Sequence, residues 1–157
     1  AFSQQKPDLS DPEIASVAVA ANQIDINYAE IAKEKSKNAD ILEFAQTMAN
    51  DHKAVIAQAV ALVTKLGVTP KDNAVTESLL KGEKETNAKL AKAKGKAFDN
   101  AYIDNEVAYH EAVISAVKNV LIPQTKNAEL KAMLIKVSPL LEHHLMMAKM
   151  AQKEIEK

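Results

Sequence analysis

Apolar residues recur along this chain at alternating spacings of three and four, the repeat of one face of an α-helix. The clearest run is Ile41, Ala45, Met48, His52, Val55, Ala59, Leu62 and Leu66, in which His52 is the only polar member. Asn38 can cap this helix at its start, Gly67 can supply a left-handed cap at its end, and Pro70 marks the stop. An earlier stripe, Ile14, Val17, Ala21, Ile24, Tyr28 and Ile31, follows Ser10-Asp11-Pro12-Glu13. That tetrapeptide pairs a capping serine with a first-turn proline and a glutamate three residues on. Ser36-Lys37-Asn38 interrupts the stripe.

A third helix is expected from Phe98 to about Leu121, ended by Ile122-Pro123 because proline disfavours helix in the residue before it. A fourth follows Asn127, with Leu130, Leu134, Val137, Leu141, His144, Ala148, Ala151 and Ile155 in register. Pro139 lies inside it, removes one backbone hydrogen bond and predicts a kink just before His144. Between the second and third helices, Ala74–Lys94 can be helical through Leu79, Leu80, Thr86 and Leu90, although Gly82 weakens it and Gly95 breaks it.

These elements predict an all-α protein: an antiparallel four-helix bundle over residues 11–157, after a flexible tail over residues 1–10. A crossover at about residues 68–95, if helical, spans most of a bundle's length at about 1.5 Å per residue. The third main helix would then run parallel to the second, as in ferritin-like topology. The other arrangement is an up-down bundle with a short fifth helix folded against it.

Composition narrows the function. The 157 residues suit one domain with a real core, and only three glycines leave little room for a turn-rich β fold. The formal net charge is −1, and every basic residue is lysine, alternating with glutamate as on a solvated helix surface. The absence of arginine and of a basic face argues against a nucleic-acid partner. With no cysteine there is no thiolate metal site, disulfide or thiol nucleophile. No apolar run approaches the roughly 18–20 residues of a membrane span. The chain begins at Ala1 with a loose polar segment, as expected of an exported protein after removal of its signal peptide and equally of a trimmed chain.

The polar residues in the seams are the candidate chemistry. Counting from helix centres brings Asp25, His52, Glu106, His110 and His144 to one height, with alanine, valine, leucine and isoleucine above and below. Buried polar groups need partners. Imidazole nitrogens and carboxylate oxygens suit a divalent transition metal ion: zinc, iron, manganese or copper. The chain has Glu-x-x-x-His at Glu106 and His110 and no Glu-x-x-His. A mononuclear site of three histidines and one or two carboxylates therefore fits better than a carboxylate-bridged di-iron centre. The competing expectation is a metal-free His–Glu–Tyr network, joined by Tyr28, Tyr102 or Tyr109, that fixes helix register. His143 should face the surface, while Asp51 and Glu111, outward beside layer histidines, can orient an imidazole. Met48 and Met147 are expected as core packing, and as the sulfur ligands to suspect if the ion is copper.

Phe44–His52 (F-A-Q-T-M-A-N-D-H), Gly95–Tyr102 (G-K-A-F-D-N-A-Y), Glu106–His110 (E-V-A-Y-H) and Ser138–Leu145 (S-P-L-L-E-H-H-L) occur in an order that resembles an uncharacterised family. It is the bacterial ferritin-like family numbered 4142 among domains of unknown function. The resemblance covers nearly the whole chain after the tail, and Ala21–Ile26 (A-N-Q-I-D-I) also fits, with Asp25 where the family usually has glutamate. It implies a ferritin-like bundle with the crossover topology, commonly exported to the periplasm or envelope. Its histidine motifs map to His52, His110 and His144, and it supplies no activity. The expectation is thus a periplasmic or secreted metal-binding bundle that stores, buffers, senses or uses its ion. The alternative is a metal-free envelope stress or interaction module.

Overall fold

The computed structural model describes residues 7–157, and every regular element among them is helical. Five long helices carry the fold: α1 (Asp11–Lys35), α2 (Ala39–Leu66), α3 (Ala74–Lys92), α4 (Gly95–Ala116) and α5 (Ala128–Glu156). Local chemistry sets their ends. Ser10 and Glu13 form a reciprocal capping box on α1, and the Asn38, Asn73 and Asn127 side chains accept from first-turn amides of α2, α3 and α5. Gly67 ends α2 at φ 68°, a conformation that penalises any side chain, and Val68 N–H donates back to the Val63 carbonyl at 2.9 Å.

Helices α1, α2, α5 and α4 form the four-helix bundle in that order around its axis, each antiparallel to its neighbours, and α3 packs across α1 and α4. The direction of α3 follows from three contacts along α1: Ser16 with Thr76, Asn27 with Glu83, and Lys35 with the Leu90 carbonyl. The two helices therefore run parallel. The crossover returns the chain to the end of α1, where Ser36 Oγ donates to Asp99 Oδ1 at 2.6 Å, and α4 runs parallel to α2. This is the crossover topology, with α3 as one continuous helix in spite of Gly82. Only Thr76 and Leu90 of α3 are buried, so it is a strap on the bundle more than a core element.

Two departures from the sequence expectations have local causes. Helix α4 does not end at Ile122-Pro123: the chain stays helical through a wide π-turn, Val117–Leu121, and on through Ile122–Gln124. A widened turn relieves the clash between a proline ring and the preceding turn, so Pro123 is carried within the helical path. Leu9, expected in the flexible tail, is buried, and its N–H donates to Gln124 Oε1 at 2.8 Å. Residues 1–6 of that tail lie outside the described residues. Helix α5 runs unbroken through Pro139.

The core divides in two. One apolar cluster, with Tyr28, Phe44, Met48, Phe98 and Ile103, fills the end where α1 finishes; another, with Ile14, Val17, Leu121, Leu130 and Leu134, fills the opposite end. Between them lies a polar layer.

A candidate metal centre

Each helix of the bundle contributes to that layer. Asp25 comes from α1, His52 from α2, Glu106 and His110 from α4, and His144 from α5, and all five are buried. His52 and His144 continue the apolar stripes of their helices, which is why they face inward. Glu106 and His110, four residues apart, share one face of α4. The imidazole centroids are 5.9 Å apart for His52 and His110, 5.5 Å for His110 and His144, and 5.0 Å for His52 and His144.

The hydrogen bonds of the imidazoles run outward from this centre. His52 Nδ1 lies 2.7 Å from Asn22 Oδ1, and Asn22 Nδ2 is committed to the Ala18 carbonyl at 2.7 Å. Asn22 thus presents its oxygen, so His52 Nδ1 carries the proton and donates. His110 Nδ1 donates to the Glu106 carbonyl at 2.8 Å, and His144 Nε2 to Asp51 Oδ2 at 2.8 Å. One nitrogen of each ring remains: His52 Nε2, His110 Nε2 and His144 Nδ1. All three are buried without a hydrogen-bond partner, as are both Asp25 oxygens and Glu106 Oε2. One ligand atom from each of His52, His110 and His144 lies within 4.8 Å of the others, and the same holds for Asp25, Glu106 and His110. The five residues form two overlapping triads that share His110.

Electrostatics distinguishes the two carboxyl groups. Burial, with the adjacent Asp25 charge, pushes Glu106 well above the usual carboxylate range. Burial acts on Asp25 in the same direction, but the adjacent Glu106 carboxyl and the neighbouring His52 and His110 outweigh it and hold Asp25 low. These shifts favour the protonated form of Glu106 beside the charged form of Asp25. Burial lowers His110, and lowers His144 to about 4, so both rings are neutral at pH 7. His52 Nε2 lies 3.0 Å from Asp25 Oδ2 but out of line for a hydrogen bond, and His110 Nε2 is 3.9 Å from the same oxygen.

The surroundings sort the remaining sequence candidates. His143 and Glu111 are exposed. Asp51, 36% exposed at its side chain, orients His144. Met48 is buried and Met147 half-buried in the apolar cluster at the end where α1 finishes. Tyr109 Oη donates to the Ala21 carbonyl at 2.7 Å, and Tyr102 Oη lies 3.5 Å from Glu106 Oε1. Asn22 was not a sequence candidate. Its position three residues before Asp25, on the same face of α1, is the signal that points to it.

Comparison with known proteins places the chain in a family. The model of the family described as "Domain of unknown function (DUF4142)" matches residues 1–151, so the chain belongs to that family. No curated protein matches. A solved structure described as "CopM in the Cu(II)-bound form" superposes with a TM-score of 0.71 at 14% identity, covering 94% of this chain and 99% of that one. At that identity the likeness is one of fold.

Proposed function

As a member of this family of unknown function, the protein is, we propose, a transition-metal-binding bundle of ferritin-like type. His52 Nε2, His110 Nε2 and His144 Nδ1 supply nitrogen ligands, and Asp25 and Glu106 supply carboxylate oxygens. One observation carries this reading: six buried nitrogen and oxygen atoms on four helices, gathered in two triads that share His110, lack hydrogen-bond partners. Outward donation by each imidazole supports it further, because a metal-bound histidine usually donates its other N–H to a carbonyl or carboxylate. A bound cation would neutralise Asp25 and favour release of the proton held by Glu106.

Imidazole and carboxylate donors accept zinc, iron, manganese or copper, and the Irving–Williams order makes Cu(II) the tightest of the divalent candidates. The structural neighbour described in a Cu(II)-bound form makes copper the first ion to test. Complete burial of the donors favours holding and buffering an ion over turning over a substrate. We place this role in the bacterial periplasm or envelope, as the family resemblance implies. No described helix is long and apolar enough to cross a membrane.

Competition titrations of tag-free protein with Cu(II) and Zn(II) test the reading. About one equivalent should bind, be lost in His52→Ala and His110→Ala, and persist in His143→Ala. Equal binding by all four proteins would assign it to the surface and end the proposal. The 3.0 Å approach of His52 Nε2 to Asp25 favours a second reading, a metal-free layer that sets helix register in an envelope stress or interaction module. Wild-type protein that binds no transition metal supports that one.

A further inference from the structure

Beside the polar layer, toward the end where α1 begins, the bundle holds a cavity of about 100 Å³, partly open where the exposed Ala112 joins its lining. Two features leave this space open. Ala18, Ala21, Ala59 and Ala116 present short side chains to it, and the π-turn contributes Val117 and Leu121 to its wall. Its end wall is formed by His52 and His110.

Water is a poor occupant. A buried water needs two to four polar partners; His52 Nε2 and His110 Nε2 face Asp25, which does not line this cavity, and the other polar groups of the lining are engaged elsewhere. Asn22 bonds the Ala18 carbonyl and His52 Nδ1, Tyr109 Oη donates to the Ala21 carbonyl, and His110 Nδ1 donates to the Glu106 carbonyl. No Asp, Glu, Lys or Arg side chain lines the cavity, so a charged ligand would be desolvated without compensation. Dry apolar cavities of roughly this size take up xenon and benzene.

We propose that this cavity is a binding site for one small, neutral, apolar molecule of up to about six non-hydrogen atoms, held against the His52 and His110 rings. Binding itself needs no metal. Its consequence for function rests on the metal-binding reading: the occupant would adjoin the ion's ligands, in a largely apolar compartment without charged side chains.

Xenon-pressurised crystals and thermal shifts with benzene, both on metal-free protein, test this directly. One xenon atom should occupy the cavity, and saturating benzene should raise the melting temperature by a few degrees, as expected for a ligand specific to the folded state. Ala59→Leu, which fills the space and is not a proposed ligand, should abolish both effects and leave metal stoichiometry unchanged. If that variant does not fold, Leu134→Ala decides: its larger cavity should bind benzene at least about tenfold more tightly than wild type. Ordered water throughout the cavity, absence of both xenon and a benzene shift, an unchanged benzene shift in Ala59→Leu, or no gain in Leu134→Ala would overturn the proposal. Benzene binding by a protein that takes up no metal would overturn the metal reading alone.

Discussion

Asn22 Oδ1 accepts from His52 Nδ1 at 2.7 Å, and that bond turns His52 Nε2 toward Asp25 at the centre of the bundle. The asparagine is itself fixed, because its amide is tied to the Ala18 carbonyl. A residue outside the proposed ligand set therefore decides which nitrogen of His52 faces inward. Asn22→Leu should lower metal affinity by about 10–100-fold without abolishing it, as loss of an outer-shell partner usually does. Competition titration measures this, and unchanged affinity would mean that His52 is not a ligand.

Asp51 allows the same logic with less structural disturbance. It bonds His144 Nε2 from a partly exposed position that water can reach, so Asp51→Ala should cost about 1 kcal/mol of stability. Metal affinity should still fall by about tenfold or more. Paired urea melts and metal titrations separate the two effects.

The metal-free protein should show two opposing pH dependences. His144 titrates near 4 when folded, against 6.5 for an unperturbed histidine, so the unfolded state binds more protons between those values. Stability from this group is complete above pH 6.5 and is lost as pH falls toward 4, an effect of the order of 3 kcal/mol. His110, also lowered by burial, acts in the same direction. Glu106 has a raised folded pKa and acts oppositely: its contribution is present at low pH and is lost as pH rises through that value. Glu106→Gln should therefore gain stability relative to wild type as pH increases, while weakening metal binding. Denaturant melts from pH 4 to 9 check both signs.

How far this was legible in the sequence depends on whether a residue's role follows from helical spacing. The spacing of the α2 stripe places His52 in the core, and the same spacing on α5 places His144 there too. Levels followed from counting along helices, and the five residues meet in one layer. The crossover topology was one of two arrangements that the length of the middle segment allowed. Periodicity could not fix the partners that orient the rings. Asn22 reads as an ordinary polar residue beside Ala21, and Asp51 as able to orient an imidazole but not as the partner of His144 in particular, because each bond crosses to another helix. The π-turn was also unreadable, since Ile122-Pro123 is a stop signal in a regular α-helix and only a local change of pitch carries the chain through it.

Ser36 and Asp99 test the topology independently of any metal. Their 2.6 Å bond joins the end of α1 to the start of α4, where the crossover delivers the chain. Ser36→Ala removes the partner of a buried carboxylate oxygen and should cost about 1–3 kcal/mol, with metal stoichiometry retained. Asp99→Asn, which can still accept from Ser36, should cost less. Chemical denaturation of the two variants makes the comparison.

The most direct measurement is the anomalous difference map of a crystal grown with Cu(II) or Zn(II). The account predicts one internal peak at about 2.0–2.1 Å from His52 Nε2, His110 Nε2 and His144 Nδ1, with a carboxylate oxygen of Asp25 or Glu106 in range. A map with peaks only at surface residues such as His143, and none within the layer, would contradict it.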